Sequence, residues 1–375
     1  MLVSYVLSRF VREDNLWLVC ERGTDARDNG LWMYRFIKQN HPEVNVKYII
    51  TPTSEDWERI EQINRECHSE SEIVETNSFR HLLLMWKARY MLSTHLLGCL
   101  PYFEDHPGLK MWVVNRIPAT KMIWLQHGVI KDDLKIAYYG CGKIDLFICG
   151  AKPEYDFVCA KFGYPPGVVK YTGLARYDGL HDFRVKKKQI LLMPTWRRWL
   201  NRDNFQDSEY FKRFVELLNN KPLQKMLETN DLHLIFYPHY EVQPFIHLFK
   251  ERVKSPRIVI ADKKTYDVQE LLKDSALLIT DYSSVLFDFA YMHKPLLFYQ
   301  FDQNRFETQH YAKAYFKYSN WGKVVKNENE LILELERRIE MGMKLDKEEA
   351  KRMDDFFVLH DTHHCERIFG EIKKL

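Results

Sequence analysis

Short apolar runs alternate with amphipathic stretches along most of this chain. The apolar runs are four or five residues long and end in polar or turn-forming residues, which is typical of buried strands. They predict strands at residues 16–20, 46–50, 71–74, 90–94, 121–125, 145–149, 168–172, 189–193, 233–237, 257–261, 276–279 and 296–299. Helical spacing of apolar residues predicts helices at 31–40, 54–67, 78–90, 153–162, 208–218, 222–228, 267–273, 285–293, 331–341 and 347–357. The alternation predicts an α/β protein with doubly wound parallel sheets.

A polar and basic stretch at residues 179–189 divides this series of elements into two, as a linker does. The length of 375 residues also favours two domains. We therefore predict an N-terminal Rossmann-like domain at 1–180, a C-terminal Rossmann-like domain at 185–345, and closing helices at 346–375. We interpret lysines 186–188 as a solvated face rather than as an anion site.

Composition narrows the class of protein. The net charge of only +3 argues against a nucleic-acid binder. The seven cysteines are scattered and form no CxxC pair, so we predict neither a disulfide framework nor a zinc site and expect a reducing cytoplasm. No apolar run approaches the roughly 18 residues that span a bilayer, and the first 15 residues are too charged for a signal peptide.

One stretch, residues 275–295, predicts a strand, a tight turn and a helix followed by another strand. The turn carries Ser283 and Ser284, whose hydroxyls and backbone N–H groups suit a phosphate. An ordinary helix cap built from Asp281 and the serines is the alternative.

The ends of the other predicted strands also carry polar, reactive residues. In open α/β sheets these ends face the ligand crevice. Two such domains facing each other would bring together His127, His239, Arg197, Ser283 and Ser284. Arginine and the seryl turn suit the phosphates of a nucleotide-diphosphate donor, and one histidine can act as a general base. No carboxylate cluster indicates a metal, so we predict no metal requirement.

At this point the sequence resembles the CDP-glycerol glycerophosphotransferase family of teichoic-acid and capsule polymerases. The most specific segment is LITDYSSVLFD at 278–288, followed by KPLLFY at 294–299. Further signatures follow the family's order: His127-Gly128, GLARYD at 173–178, PTWR at 194–197 and Pro238-His239. The resemblance covers roughly residues 85–325 and implies a GT-B fold, in which two Rossmann-like domains face a central cleft.

The resemblance implies transfer of glycerol phosphate from CDP-glycerol to a hydroxyl of a polysaccharide or lipid-linked polymer, with release of CMP. It implies that His127 is the base and that His239 contacts the donor phosphates. The remaining residues matched to the donor site are Arg176, Thr195, Arg197, Thr280, Asp281, Ser283, Ser284 and Asp288. Asp288 is matched to the ribose or the cytosine.

Three alternatives stay open on the residues alone. The donor is CDP-ribitol in one, and a nucleotide sugar used by a GT-B glycosyltransferase in another. The third is a non-enzymatic binding scaffold. The segment 310–316 and the residues before His127 depart from the family pattern, which leaves the acceptor and the alditol open.

The family and its substrate also predict a cytoplasmic protein that lies at the inner face of the membrane. The lysines 186–188 and the basic, Trp-containing segment 196–202 are the candidate membrane contacts.

Overall fold

The computed structural model describes residues 2–69, 72–101, 108–181, 185–309, 312–313 and 315–375. In chain order its strands are β1 (Trp17–Cys20), β2 (Val46–Ile50), β3 (Ile73–Glu75), β4 (Tyr90–Ser93), β5 (Lys121–Trp124), β6 (Asp132–Asp133), β7 (Leu146–Cys149), β8 (Val169–Tyr171), β9 (Lys186–Met193), β10 (His233–Phe236), β11 (Ile258–Ile260), β12 (Ser275–Thr280), β13 (Leu296–Tyr299), β14 (Ala312–Lys313) and β15 (Gly322–Val325).

The α-helices are α1 (Leu2–Ser8), α2 (Asn29–Asn40), α3 (Trp57–Glu66), α4 (Phe79–Leu84), α5 (Gly108–Val114), α6 (Lys152–Lys161), α7 (Glu209–Leu218), α8 (Lys221–Thr229), α9 (Ile246–Arg252), α10 (Val268–Asp274), α11 (Val285–Tyr291), α12 (Gln303–Gln309), α13 (Glu328–Glu340), α14 (Lys347–Phe356) and α15 (His364–Ile372). Short 3₁₀ segments lie at Lys135–Ala137, Ala175–Leu180, Tyr240–Phe245 and Tyr318–Asn320.

The chain divides into two compact units. Unit 1 comprises Met1–Val129, Leu134–Gly179 and Phe357–Leu375, and unit 2 comprises Ile130–Asp133 and Leu180–Phe356. The sequence had grouped residues 346–375 together. In the structure α14 belongs to unit 2, whereas α15 belongs to unit 1.

Unit 1 is built on a parallel sheet with the strand order β3-β2-β1-β4-β5-β7-β8. Its strands are buried, as they are when helices cover both faces of a parallel sheet. The returning helix α15 completes this core, because Phe369 stacks at 5.5 Å on Trp17 of β1. Gly173 follows β8 with φ of 77°, and a Cβ there would lie 1.9 Å from the ring of His364, so only glycine fits.

Unit 2 is built on a second parallel sheet with the strand order β11-β10-β9-β12-β13-β15, and β6 pairs with β14 in a short antiparallel ladder. The central strand β12 is buried along its whole length. Aromatic side chains from α7 and α9 pack on this sheet. The ring centroids of Phe214 and Phe249 lie 5.8 and 4.9 Å from that of Phe236 on β10.

All the predicted strands are found within a few residues of their predicted positions. The predicted linker was partly wrong, because β9 begins at Lys186 and contains the basic run. Residues 182–184 of that linker lie outside the described residues. The predicted helix at 78–90 ends at Leu84. Among the described residues, no helix combines the length and the apolar character needed to cross a bilayer.

Candidate active site

The loops that follow β1, β4 and β5 meet at one edge of the unit 1 sheet. β1 lies between β2 and β4, so the direction of strand addition reverses between β1 and β4. In open α/β sheets ligands bind at such a switch point, beside the carboxyl ends of the strands. The β1 loop carries Asp28, the β4 loop carries His95, and the β5 loop carries His127.

His127 is hydrogen-bonded to Asp28. The distance between His127 Nδ1 and Asp28 Oδ2 is 2.8 Å, and the imidazole is 55% exposed whereas Asp28 is 16% exposed. Burial alone would raise the pKa of Asp28, but Arg176 and the hydrogen bond from His127 lower that pKa well below its usual range. Asp28 is therefore an ionised acceptor that favours the proton of the His127 ring on Nδ1, and in that neutral tautomer the lone pair on Nε2 can accept a proton.

Arg176 and Asn29 tie the loops of this cluster together. Arg176 Nη1 donates to Asp28 Oδ1 at 2.6 Å and to the His127 carbonyl oxygen at 3.0 Å. Asn29 is buried, donates to the Gln126 carbonyl oxygen at 2.7 Å, and accepts from the Arg176 backbone N–H at 3.0 Å. We call Asp28, Asn29, His127 and Arg176 the unit 1 cluster.

The backbone before His127 is in an unusual conformation. Gln126 has φ of 62°, which lies in the left-handed region that only a few per cent of non-glycine residues adopt. Its side-chain amide donates to the Ile148 carbonyl oxygen at 2.8 Å and to Glu154 Oε1 at 3.0 Å. These buried bonds hold the turn that precedes His127.

Glu21, which directly follows β1, holds the β1 loop through hydrogen bonds to its backbone. Its buried carboxyl group accepts hydrogen bonds from the backbone N–H groups of Arg27, Asp28 and Leu31, at 2.8–3.0 Å. Burial and the nearby Asp28 and Asp25 raise the pKa of Glu21 to about 8. Glu21 is a structural group of the site, because its oxygens are used by the loop.

A second histidine, His95, lies beside His127, with the ring centroids 5.4 Å apart. Burial, His127 and Arg22 lower the pKa of His95 to about 4. Arg22 Nε donates to His95 Nε2 at 3.2 Å, so His95 is neutral and its Nδ1 donates to Thr94 Oγ1 at 2.9 Å. His95 was not among the predicted site residues.

The unit 2 sheet has its own switch point, between β9 and β12. The predicted seryl turn lies there, after β12. Ser283 and Ser284 are partly exposed, and Ser284 begins α11 without a capping hydrogen bond from its side chain. Ser283 Oγ does accept a long hydrogen bond from the Val285 backbone N–H, at 3.4 Å, so the helix-cap alternative holds in part for Ser283. It does not hold for Ser284, whose hydroxyl remains suited to a ligand.

His239 follows the neighbouring strand β10 and is partly exposed. Its backbone N–H donates to the Pro194 carbonyl oxygen at 3.3 Å, which joins the loops after β9 and β10. The Glu241 backbone N–H donates to His239 Nδ1 at 3.3 Å, so in this tautomer Nε2 carries the proton. A proton on Nε2 suits donation to a phosphate oxygen.

Arg197 is fully buried, which does not fit the predicted direct contact with a donor phosphate. Its guanidinium lies 2.8 Å from Asp281 Oδ2 and 2.6 Å from Asp302 Oδ2. Burial would lower the pKa of Arg197, but the two carboxylates raise it. Asp281 in turn accepts from the Thr195 backbone N–H at 2.9 Å, so this buried network fixes the loops after β9 and β12. We reinterpret Arg197 as a positioning residue.

Several other predicted donor-binding residues are also buried rather than accessible to a donor. Thr280 is buried and donates to the Met193 carbonyl oxygen at 2.7 Å, Asp281 belongs to the Arg197 network, and Asp288 is buried on α11. The Thr195 hydroxyl is buried without a hydrogen-bond partner among the described residues. Burial corrects the expectation that these side chains face the donor. They shape the loop, and Ser283, Ser284 and His239 present the accessible groups.

Within the part of the chain that the structure describes, no group of three or more His, Cys, Asp or Glu residues could hold a metal ion. The absence of a metal requirement stays a prediction.

A family model and several known proteins of teichoic acid synthesis are similar to this chain. A family model described as "CDP-Glycerol:Poly(glycerophosphate) glycerophosphotransferase" matches residues 1–138 and 162–374. The minor teichoic acid biosynthesis protein GgaB of Bacillus subtilis (strain 168) is 29% identical over 391 residues, covering 100% of this chain and 41% of GgaB. The teichoic acid poly(glycerol phosphate) polymerase of the same strain is 30% identical over 375 residues, covering 91% of this chain and 46% of that protein.

A third relative is the teichoic acid ribitol-phosphate polymerase TarK of Staphylococcus aureus (strain NCTC 8325 / PS 47). It is 26% identical over 319 residues, covering 76% of this chain and 59% of TarK. The chain thus spans less than half of GgaB and of the glycerol phosphate polymerase.

Solved structures confirm the predicted GT-B class of fold. The wall teichoic acid polymerase TagF has a TM-score of 0.67 at 16% identity, covering 99% of this chain and 93% of that chain. A TagF variant soaked with CDPG has a TM-score of 0.68 at 18% identity, with the same coverage. A UDP-N-acetylglucosamine 2-epimerase has a TM-score of 0.57 at 12% identity, covering 96% of each chain. Because these identities are low, the likeness establishes the fold alone.

Proposed function

The chain belongs to the CDP-glycerol:poly(glycerophosphate) glycerophosphotransferase family, and from this we propose that it transfers glycerol phosphate from CDP-glycerol to a hydroxyl of a wall polymer. The observation that carries the proposal is the hydrogen bond between His127 and Asp28. It leaves Nε2 of an exposed imidazole as a proton acceptor, which is what an attacking hydroxyl requires.

In the proposed reaction the acceptor hydroxyl oxygen forms a bond to the β-phosphorus of CDP-glycerol. The bond between that phosphorus and the bridging oxygen breaks, and CMP leaves with the bridging oxygen. The hydroxyl proton passes to His127 Nε2. Asp28 stabilises the imidazolium that results, and Arg176 keeps Asp28 ionised and in place.

The accessible groups of unit 2 support the role of donor binding. The seryl turn offers two hydroxyls at a topological switch point, and His239, in the loop after β10 of the same sheet, offers an N–H donor. We propose that they bind the diphosphate oxygens and neutralise charge that develops as CMP leaves. Arg197 contributes by holding the turn in place.

A donor panel tests the proposal. The protein is incubated with CDP-glycerol, CDP-ribitol or UDP-sugars and a panel of candidate acceptors, and mass spectrometry identifies the released nucleotide and the product. We expect CMP and an acceptor enlarged by glycerol phosphate. Release of UDP, or transfer of sugar, would replace the proposal with a glycosyltransferase.

CDP-ribitol is the second candidate donor. It is favoured by the similarity to TarK, a ribitol-phosphate polymerase by its name, over 76% of this chain. The same panel decides between the alditols by the mass added to the acceptor.

A position at the inner face of the membrane is part of the proposal, since the acceptors of such reactions include lipid-linked polymers. The sequence clusters first expected to contact the membrane do not support it. Lys186 and Lys188 pair with Asp274 and Asp231, and Trp196 packs against the unit 2 core.

A further inference from the structure

A pocket in unit 2 opens beside β15, a strand at the edge of its sheet. Its volume is about 690 Å³, which includes space open to solvent. Sites for organic ligands commonly measure about 300–1,000 Å³. None of the lining residues belongs to the unit 1 cluster or to the seryl turn. We call it the β15 pocket and define it by its five charged residues, Lys323, Arg337, Arg338, Glu349 and Arg352.

The β15 pocket is basic, and its one acid is already used. Four cations line it against the single carboxylate of Glu349. That carboxylate accepts hydrogen bonds from Arg338 Nη1 at 2.9 Å and from the Asp346 backbone N–H at 3.1 Å. Glu334 accepts from Arg337 Nη2 at 2.6 Å. These bonds fix two guanidinium groups in the wall of the pocket.

The other two cations are accessible to a ligand. Arg352 is 41% exposed, and its partner Glu348 lies 3.4 Å away and is 86% exposed, so water screens this pair. Lys323 is exposed on β15 and forms no ion pair with another described residue. An anion can therefore replace water at both side chains without breaking a buried ion pair.

Two guanidinium nitrogens of the pocket lack a hydrogen-bond acceptor. Nε of Arg338 and Nε of Arg352 are shielded from solvent and have no hydrogen-bond partner within the described ranges of the chain. Arg338 is only 1% exposed, and its Nε interacts with Glu334 Oε1 at 3.4 Å through charge alone. A shielded N–H without an acceptor is unfavourable, so an anionic oxygen bound here would supply a missing hydrogen bond.

We propose that the β15 pocket binds the phosphate groups of a phosphodiester chain. Planar guanidinium groups pair with phosphate oxygens through two parallel N–H bonds, and three of the four cations are arginines. The choice of a chain rests on the proposed function, because that reaction lengthens a polymer with one phosphate in each unit. A polymer held in the β15 pocket stays on the protein between additions.

The lining of the pocket does not suit two other classes of ligand. The described residues that line it include no aromatic ring, so a nucleotide base has no ring on which to stack. Their only wholly apolar side chain is that of Val324, so the acyl chains of a lipid have no apolar surface to enter. Phosphates joined by short polyol units need neither feature.

The test is calorimetry on the full chain with a short synthetic glycerol phosphate oligomer. Uncharged polyglycerol and inorganic phosphate are the comparison ligands. We expect the oligomer to bind more tightly than inorganic phosphate, the polyglycerol not to bind, and the affinity for the oligomer to fall as salt screens the charges. The measurement uses no donor. Loss of oligomer binding with normal CMP release would therefore reject the role of the pocket and leave the proposed reaction standing.

Variants at the two accessible cations assign the binding to the pocket. We expect K323Q/R352Q to lower the affinity for the oligomer by about tenfold or more, and K323Q alone to give part of that loss. The matched control K221Q/K225Q removes two exposed cations from α8 and should bind as the unchanged chain does. The substituted side chains reach the solvent, so circular dichroism should show an unchanged fold.

Three results would overturn the inference. The first is equal affinity of K323Q/R352Q and the unchanged chain for the oligomer. The second is inorganic phosphate that binds as tightly as the oligomer, which would make the pocket a site for a small anion. The third is no oligomer binding by the unchanged chain. If anionic vesicles bind instead, and K323Q/R352Q abolishes that binding, the pocket contacts a membrane.

Discussion

Replacing Asp28 with asparagine tests how the unit 1 cluster works. The substitution keeps the size of the side chain and removes the charge that lies 2.8 Å from His127 Nδ1 and 2.6 Å from Arg176 Nη1. When His127 accepts a proton, the new positive charge gains a carboxylate partner in the unchanged protein. In D28N it gains only a neutral amide.

The contact between Asp28 and His127 sets the size of the expected loss in rate. A hydrogen bond to a charged group contributes about 1.5–3 kcal/mol. Opposite charges about 4 Å apart near a protein surface interact by about 4 kcal/mol. Since each 1.36 kcal/mol is a factor of ten in rate, we expect kcat to fall by about 10–10³-fold. The KM for the donor should change little, because Asp28 acts on the proton transfer through His127.

The assay is steady-state CMP release with D28N and with D25N as the matched control. Asp25 lies in the same loop and pairs with Arg22 at 3.8 Å, so D25N removes a carboxylate without touching His127. We expect D25N to keep the rate of the unchanged protein. A D28N enzyme with kcat within about threefold of that rate would refute the orienting role of Asp28.

Three further predictions concern Arg197, Ser284 and His95. Replacing Arg197 with methionine leaves the buried carboxylates of Asp281 and Asp302 without their cation. We therefore expect the free energy of unfolding, measured in urea, to fall by about 3–5 kcal/mol. An unchanged free energy of unfolding would contradict the role of the buried network. In S284A we expect CDP affinity, measured by calorimetry, to fall by about tenfold, and equal affinity would remove the seryl turn from the donor site. The pKa of His95 is lowered to about 4, so its NMR titration should have a midpoint near 4, and a midpoint near 6.5 would contradict the burial argument. Because a histidine of the unfolded chain titrates near 6.5, the contribution of neutral His95 to stability is present above about pH 6.5 and is lost as the pH falls toward 4.

Much of the fold was predictable because its strands are buried on both faces and read as continuous apolar runs. The strands β2 and β13 match their predicted bounds. The elements that were not predicted have no such continuous apolar run. α1 turns its apolar residues outward, and β15 begins at Gly322 after an aromatic-rich turn. α15 belongs to unit 1 although it follows α14 of unit 2, and no local pattern reveals such a return.

The site was predictable only in part, because residue type marks reactivity but not burial. His127 and the seryl turn were predicted from their positions at strand ends, and both are accessible in the structure, whereas Arg197 looked like a phosphate ligand and is buried between two carboxylates. Asp28 was missed. Its partners His127 and Arg176 lie about 100 and 150 residues away in sequence, so no local pattern points to it.

In the proposed reaction His127 removes the proton from the attacking hydroxyl. The most direct measurement is CMP release from CDP-glycerol by H127A beside the unchanged protein, with CDP affinity measured on both. We expect H127A to release CMP at a rate lower by about 10²–10⁴-fold, with unchanged CDP affinity. Near-normal CMP release by H127A, with glycerol phosphate still added to the acceptor, would contradict it.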